Sequence, residues 1–187
     1  MAFSPLLVPA LGDEVVILRR WRDSDLHAIT AGLSDPMFQQ FSWSSKDPYT
    51  EADARRFLAE NTRRPAAEAR EVAFAVVDPL DPDVVLGGCS LHGIDPDQGR
   101  LAVGYWVDPQ ARGRGVATHA VLLLAGWVFN DLGFARLELT CDPDNAASQA
   151  VARRCGFIRE GFLRSHMSFQ GGRRDSVLWS LLPSDLP

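Results

Sequence analysis

The chain has 187 residues, 46% of them hydrophobic and 23% charged, with a formal net charge of -5 and a pI near 5.3. That balance suits one compact domain over residues 1–187 with an ordinary apolar core, and its acidity argues against non-specific nucleic-acid binding. No apolar run approaches the roughly 18 residues a membrane span needs, and three widely spaced cysteines (Cys89, Cys141, Cys155) fit neither a disulfide framework nor a zinc spacing, so a reduced, cytoplasmic chain with no metal and no membrane contact is expected.

Residues 1–12 are mildly apolar but lack the basic start of a signal peptide. Val15–Arg20 is a short strand-forming run closed by Trp21. Asp23 or Ser24 can cap a helix running to about Leu33, since a short polar side chain accepts the orphan N–H groups of a first turn. The segment Phe38–Trp43 shows neither helix nor strand period and is expected to be a loop. Thr50 opens a second helix with Asp53 three residues on, a capping-box pattern, and Ala54, Phe57 and Leu58 are helix-spaced. Arg63–Ala69 reads as a loop. Val72–Val77 and Val84–Leu91 are hairpin strands joined through the turn at Pro79–Pro82. Gly99–Val107 is a third strand, ended by Asp108-Pro109. A long helix is expected from about Gly113 to Leu132, with Gly133 as its C′ glycine. Arg136–Cys141 alternates as a half-exposed strand. A helix follows from about Asn145 to Arg154, and Phe157–Phe169 and Arg174–Leu182 form a closing hairpin across Gly171-Gly172. Helices grouped around a mostly antiparallel sheet make the fold class α+β.

The most informative stretch is Tyr105 to Thr118, where a strand ends, a turn follows and a helix starts on glycines. The first N–H groups of a helix have no internal partner and, with the helix dipole, form an anion site. Gly113 and Gly115 remove side chains so that a phosphate can approach the backbone, and Arg112 and Arg114 add positive charge. A phosphate or pyrophosphate is therefore expected, although an ordinary glycine-rich helix start would look the same. No Gly-Lys-Ser/Thr follows, so this is not a P-loop. The preceding antiparallel strands also exclude a dinucleotide-binding βαβ unit.

Arg112-Gly113-Arg114-Gly115-Val116-Ala117 resembles the Q/R-x-x-G-x-G/A pyrophosphate motif of the GNAT acyltransferase superfamily. Gly104-Tyr105-Trp106-Val107 resembles that family's splayed central strand. Asn145-Ala146-Ala147-Ser148, followed by Gly156-Phe157-Ile158-Arg159-Glu160-Gly161, is similar to the N-x-x-S…G-F-x-x-E-G stretch of its RimJ/RimL-type branch. The resemblance spans roughly residues 13–185. It implies a mixed, mostly antiparallel sheet flanked by helices, and an enzyme moving an acetyl group from acetyl-CoA to a primary amine, on a small molecule or a protein N-terminus.

The resemblance also implies roles residue by residue. Amides from Gly113 to Thr118 (Gly113, Arg114, Gly115, Val116, Ala117, Thr118), with Arg112, would hold the CoA pyrophosphate. The backbone of Tyr105, Trp106 and Val107 would pair with the pantetheine arm, and an amide near Val107 would polarise the thioester carbonyl. Asn145 would bond the pantetheine, cap its helix, or both. Many members place a Tyr seven residues after this Asn to protonate the leaving thiolate; Ala152 stands there instead. Ser148 is the substitute candidate, with a plain helix-start serine as the other reading. A Glu used by branch members on the later strand is replaced by Met167. The amine's proton has Glu138, Glu160, His92, His166 or a water chain as candidate takers, and the sequence selects none of them. Trp43, Phe41, His92 and Asp175 are the candidate acceptor contacts, whereas Trp106 and Trp127 read as core. Ala152 and Met167 keep open a non-catalytic acyl-CoA-binding module, and another donor such as succinyl-CoA is an alternative. A homodimer is the default expectation for the oligomeric state.

Overall fold

The computed structural model describes residues 10–42, 48–63, 71–169 and 171–186. In chain order the strands are β1 (Leu11–Gly12), β2 (Ile17–Arg19), β3 (Glu71–Val77), β4 (Val85–Asp95), β5 (Arg100–Val107), β6 (Arg136–Cys141), β7 (Ile158–Phe169) and β8 (Gly172–Leu181). The helices are α1 (Leu26–Leu33), α2 (Pro36–Phe41), α3 (Glu51–Arg63), α4 (Val116–Asn130) and α5 (Ala146–Arg154). The strands form one sheet in the order β1-β2-β3-β4-β5-β6-β8-β7. Every pairing is antiparallel except β5 with β6. That parallel pair needs a crossover, which α4 supplies. The fold is α+β, as the sequence implies.

Successive side chains on a strand face opposite sides, and β3 shows the result. Val72, Phe74 and Val76 join the larger core under α4 and α5, while Ala73, Ala75 and Val77 face the smaller core under α1 and α3. α4 buries Val116, Ala120, Val121, Leu124 and Val128 on the first face, where Trp127 meets Phe74 edge-on at 5.8 Å. On the other face Trp106 stacks on Trp21, with ring centroids 6.3 Å apart. Two glycines make that room. A Cβ on Gly32 would lie 2.1 Å from the Trp106 ring, and one on Gly88 would lie 2.5 Å from its Nε1. Cys89, Cys141 and Cys155 are free and buried. None of the described helices is long and apolar enough to cross a membrane.

The structure corrects several local expectations. The segment Phe38–Trp43, expected as a loop, is helical over its first four residues, which are the end of α2. Asp35 caps it by accepting the Phe38 N–H at 3.0 Å, and Pro36 occupies its first turn. That Asp-Pro pair was the available signal; six residues are too few to show a period. The helix expected near Asp23 begins as a 3-10 turn over Asp23–Asp25, and Asp25, rather than Asp23 or Ser24, accepts the Arg22 N–H at 2.8 Å. Asp25 also forms a buried fork with Arg19, at 2.8 and 2.9 Å. α4 starts at Val116 rather than Gly113, because Gly113 (φ 76°) and Gly115 (φ 82°) hold left-handed conformations that a helix cannot contain. The Thr50–Asp53 capping box is present, with N–H···O distances of 3.1 and 3.3 Å. Most of the expected Arg63–Ala69 loop lies outside the described residues.

Candidate active site

The site begins where the sheet divides. β5 and β6 are in register only through Arg100–Arg136, Leu101–Leu137 and Ala102–Glu138. Beyond that, β5 stays with β4 as far as Val107, and β6 stays with β8 as far as Cys141. The two strands therefore part like a fork. The Asp108 N–H donates to the Leu86 carbonyl at 2.9 Å, and in an antiparallel ladder residues of one parity turn their backbone to the same neighbour. Gly104 and Trp106 thus face β4, while Tyr105 and Val107 turn their N–H and C=O groups into the gap.

The glycine loop lies past the tip of β5. Gly115 occupies the cap position of α4 and has no side chain to occupy the first amides. Nothing lies within 4 Å of where a Gly113 Cβ would be, so this backbone is open to an approaching group. The two arginines differ from expectation in what they touch. Arg112 donates to Asp35 at 2.5 Å and to the Val107 carbonyl at 3.3 Å. It therefore ties the loop to α2 instead of standing free as a phosphate cation. Burial raises the Asp35 pKa, but the hydrogen bonds from Arg112 and the Phe38 amide outweigh it and hold the carboxyl below its ordinary value. Arg114 stays half-exposed, 3.9 Å from Asp78.

On the β6 side of the fork, Asn145 caps α5 by accepting the Ser148 N–H at 3.0 Å. This places Ser148 in the first turn, where its Oγ lies 2.9 Å from the Tyr105 hydroxyl. The Cys141 thiol sits beside the same Ser148, and burial pushes its pKa up, with Ser148 and Trp179 nearby acting in the opposite direction. The family resemblance implies a backbone role alone for Tyr105. Its side chain reaches Ser148 across 43 positions of sequence, a contact that no local pattern encodes.

A cleft of about 430 Å³ opens next to this turn, lined by Gln40 and Phe41 of α2, by Asp142, Pro143 and Asp144 leading into α5, and by Phe162, Arg174 and Asp175 of the hairpin. Arg174 bridges its walls. It donates to the Gln40 carbonyl at 2.5 Å, lies 3.4 Å from Asp142, and stacks 3.4 Å above the Phe169 ring. Asp175 accepts the Ser165 N–H at 2.6 Å. Of the candidate acceptor contacts, Phe41 and Asp175 line this cleft and His92 does not; Trp43 lies outside the described residues. His92 instead lies over Gly104, its Cε1 3.4 Å from where a Cβ would stand. Burial lowers its pKa, so it is neutral at neutral pH. His166 bonds Ser176 at 3.0 Å.

The two glutamates are occupied elsewhere. Arg136 donates to Glu138 at 2.7 Å and to both oxygens of Glu160 at 2.9 and 2.5 Å, while Ser180 adds a 2.7 Å bond to Glu160. The Arg136 and Ser180 hydrogen bonds bring the Glu160 pKa down to about 2. Glu160 is thus a fixed anion, poorly suited to take a proton at neutral pH. Glu138 shares the same arginine and stands in register with Ala102, at the last paired step below the fork. Among the described residues no cluster of His, Cys, Asp or Glu could hold a metal.

Comparison with known proteins identifies the family. Residues 16–158 match the family model described as an acetyltransferase (GNAT) domain. The chain is 27% identical over 169 residues to the uncharacterized N-acetyltransferase p20 of Bacillus licheniformis, covering 90% of this chain and 93% of that one. It is 33% identical over 82 residues to the ribosomal-protein-serine acetyltransferase of Escherichia coli, covering 44% of this chain and 46% of that protein. A GCN5-related N-acetyltransferase structure from Brucella melitensis superposes with a TM-score of 0.80 at 27% identity, covering 97% of this chain and 82% of that one.

Proposed function

The chain belongs to the GNAT acetyltransferase family, and we propose that it moves an acetyl group from acetyl-CoA to a primary amine that enters through the cleft between α2 and the β7–β8 hairpin. The observation that carries this reading is the fork itself, with a left-handed glycine pair at its tip. The amides from Gly113 to Thr118 receive the pyrophosphate, and the exposed edge at Tyr105 and Val107 receives the pantetheine arm as an added strand. The Val107 N–H faces the gap and can hold the oxyanion when the amine nitrogen attacks the thioester carbon. Three carboxylates line the cleft against one arginine, which itself lies 3.4 Å from Asp142, so the entrance favours a cationic amine. The likeness to a ribosomal-protein-serine acetyltransferase supports a protein N-terminus as one form of that amine, alongside small amines.

The test is a panel of small amines, N-terminal peptides and amine-bearing antibiotics incubated with acetyl-CoA. Free thiol and acetylated product are both measured. Stoichiometric release of thiol and product with at least one amine is expected. CoA binding with no turnover across the panel would instead identify a binding module.

A further inference from the structure

The Tyr105 hydroxyl meets Ser148 inside the fork, where neither the strand edge nor the helix cap requires a phenol. We infer that Tyr105 is a positioning residue that turns the Ser148 hydroxyl toward the departing CoA sulfur. The inference rests on the proposed seat of the thioester in the fork.

A serine hydroxyl has one hydrogen and two lone pairs, and a phenol has one hydrogen of its own. Only one of the two can donate across the 2.9 Å Oη–Oγ contact. The phenol is the stronger acid by several pKa units and hence the stronger donor, and of its two acceptors on Ser148 the Oγ at 2.9 Å is much closer than the carbonyl at 3.4 Å, so its hydrogen takes the bridge. Tyr105 is half-buried against the core that carries Cys141 and Cys155. Burial raises its pKa above the ordinary tyrosine value, which keeps the phenol protonated at any working pH. With one Oγ lone pair occupied, the Ser148 hydrogen is directed away from Tyr105, toward the gap on one side or the Cys141 thiol on the other; a neutral thiol is a weak acceptor, and a thiolate forming in the gap outcompetes it. The Asn145 cap fixes where Oγ sits. Tyr105 fixes where the Oγ hydrogen points.

Two elements are locked together by this contact. The Tyr105 backbone faces the gap from β5 while its hydroxyl crosses to α5, so the strand that would carry the thioester also orients the group that meets the sulfur. In the step itself the nitrogen–carbon bond forms and the carbon–sulfur bond breaks. The electron pair goes to sulfur, and Ser148 donates a hydrogen bond to that charge. The attacking nitrogen releases its proton to solvent, and sulfur is finally protonated from solvent. Both hydroxyls end as they began.

Tyr105→Phe keeps the ring and removes only the hydroxyl. The first measurement needs no acceptor: ultraviolet absorbance of the thiolate follows ionisation of bound CoA against pH in the native protein, Tyr105→Phe, Ser148→Ala and the double variant. The bound thiol is expected to ionise at lower pH in the native protein than in any variant, with the double variant matching Ser148→Ala. The second measurement is turnover. Tyr105→Phe should lose about tenfold in kcat with acetyl-CoA KM and melting temperature unchanged, and its effect should vanish in a Ser148→Ala background. Tight CoA binding with identical thiol titration in native and Tyr105→Phe proteins overturns the role of Tyr105 and leaves the acyltransferase reading standing. Failure of the native protein to bind CoA overturns both.

Discussion

The two ends of the fork proposed for donor and acceptor are built from different materials. The proposed donor end is backbone: a strand edge at Tyr105 and Val107, two left-handed glycines, and the uncapped start of α4. The proposed acceptor end is side chains, brought together from α2, the turn before α5 and the hairpin. A backbone site tolerates many sequences provided its glycines stay, so it supports one ligand across a family. A side-chain site changes with each substitution, so it is where relatives with one fold come to differ in what they acetylate. This contrast predicts that substitutions at one end leave kinetics at the other unchanged.

Gly115→Asp should have the largest effect. It places a β-carbon at φ 82°, where His119 Cδ2 would lie 3.3 Å away, and sets a carboxylate at the mouth of an anion site. CoA binding by calorimetry should weaken at least about a hundredfold, roughly 2.7 kcal/mol, in a protein whose circular dichroism is native. Gly115→Ala carries only the strain, roughly 1–2 kcal/mol, and should weaken binding less. Equal CoA affinity in the native and Gly115→Asp proteins would remove the loop from the donor site.

Asp35→Ala tests whether the ends are separable. Asp35 caps α2 and pairs with Arg112, so it is the strut between the cleft wall and the glycine loop. Losing the cap costs about 1 kcal/mol, and the fraying of α2 should raise the acceptor KM several-fold. CoA affinity should hold or tighten, because Arg112 is released beside the proposed pyrophosphate seat. A tenfold loss of CoA affinity would show instead that the donor end depends on side-chain struts, and the contrast would fail.

The same contrast explains what could be read from sequence. The glycine pair, the Asn145 cap and the alternation of β6 are local patterns whose spacing carries their geometry, and each stands where it was expected. The start of α4 was misplaced by three residues because a glycine that begins a helix and one that refuses it are the same letter. The cleft was legible only in outline. Arg174 reaches Gln40 across 134 positions and Tyr105 reaches Ser148 across 43, and such pairs arise from topology, not from neighbouring residues. Glu160 shows the same limit: the sequence leaves it open between a proton acceptor and an arginine partner, and the partner, Arg136, stands 24 positions away.

Asp175→Asn sharpens the acceptor side with a smaller effect. The amide oxygen can still accept the Ser165 N–H, so the hairpin turn survives and only the charge is lost. A partly exposed charge pair contributes about 0.2–1 kcal/mol, so the KM for a cationic amine should rise by up to about fivefold. CoA affinity should be unaffected, and the increase should shrink at high salt. An unchanged KM across salt would remove charge from acceptor recognition.

Glu160→Gln should have the smallest effect at neutral pH, and it isolates the base of the fork from both ends. The Glu160 pKa falls from 4.5 to about 2 through its bonds to Arg136 and Ser180. A carboxyl depressed on folding contributes stability that is present above its unfolded pKa and is lost as pH falls toward the folded value. The native protein should therefore lose melting temperature between about pH 4.5 and 2 more steeply than Glu160→Gln, with the two slopes alike above pH 5. Because the carboxylate is partly exposed, the neutral-pH difference should be small and should decrease with salt. Arg136 keeps Glu138 as a partner in the variant, so the sheet below the fork stays paired. Acetyl-transfer kinetics should then match the native protein. A hundredfold fall in kcat with unchanged KM values, at a pH where the variant is fully folded, would return Glu160 to the chemistry and show that the fork reaches one strand pair deeper than its backbone indicates.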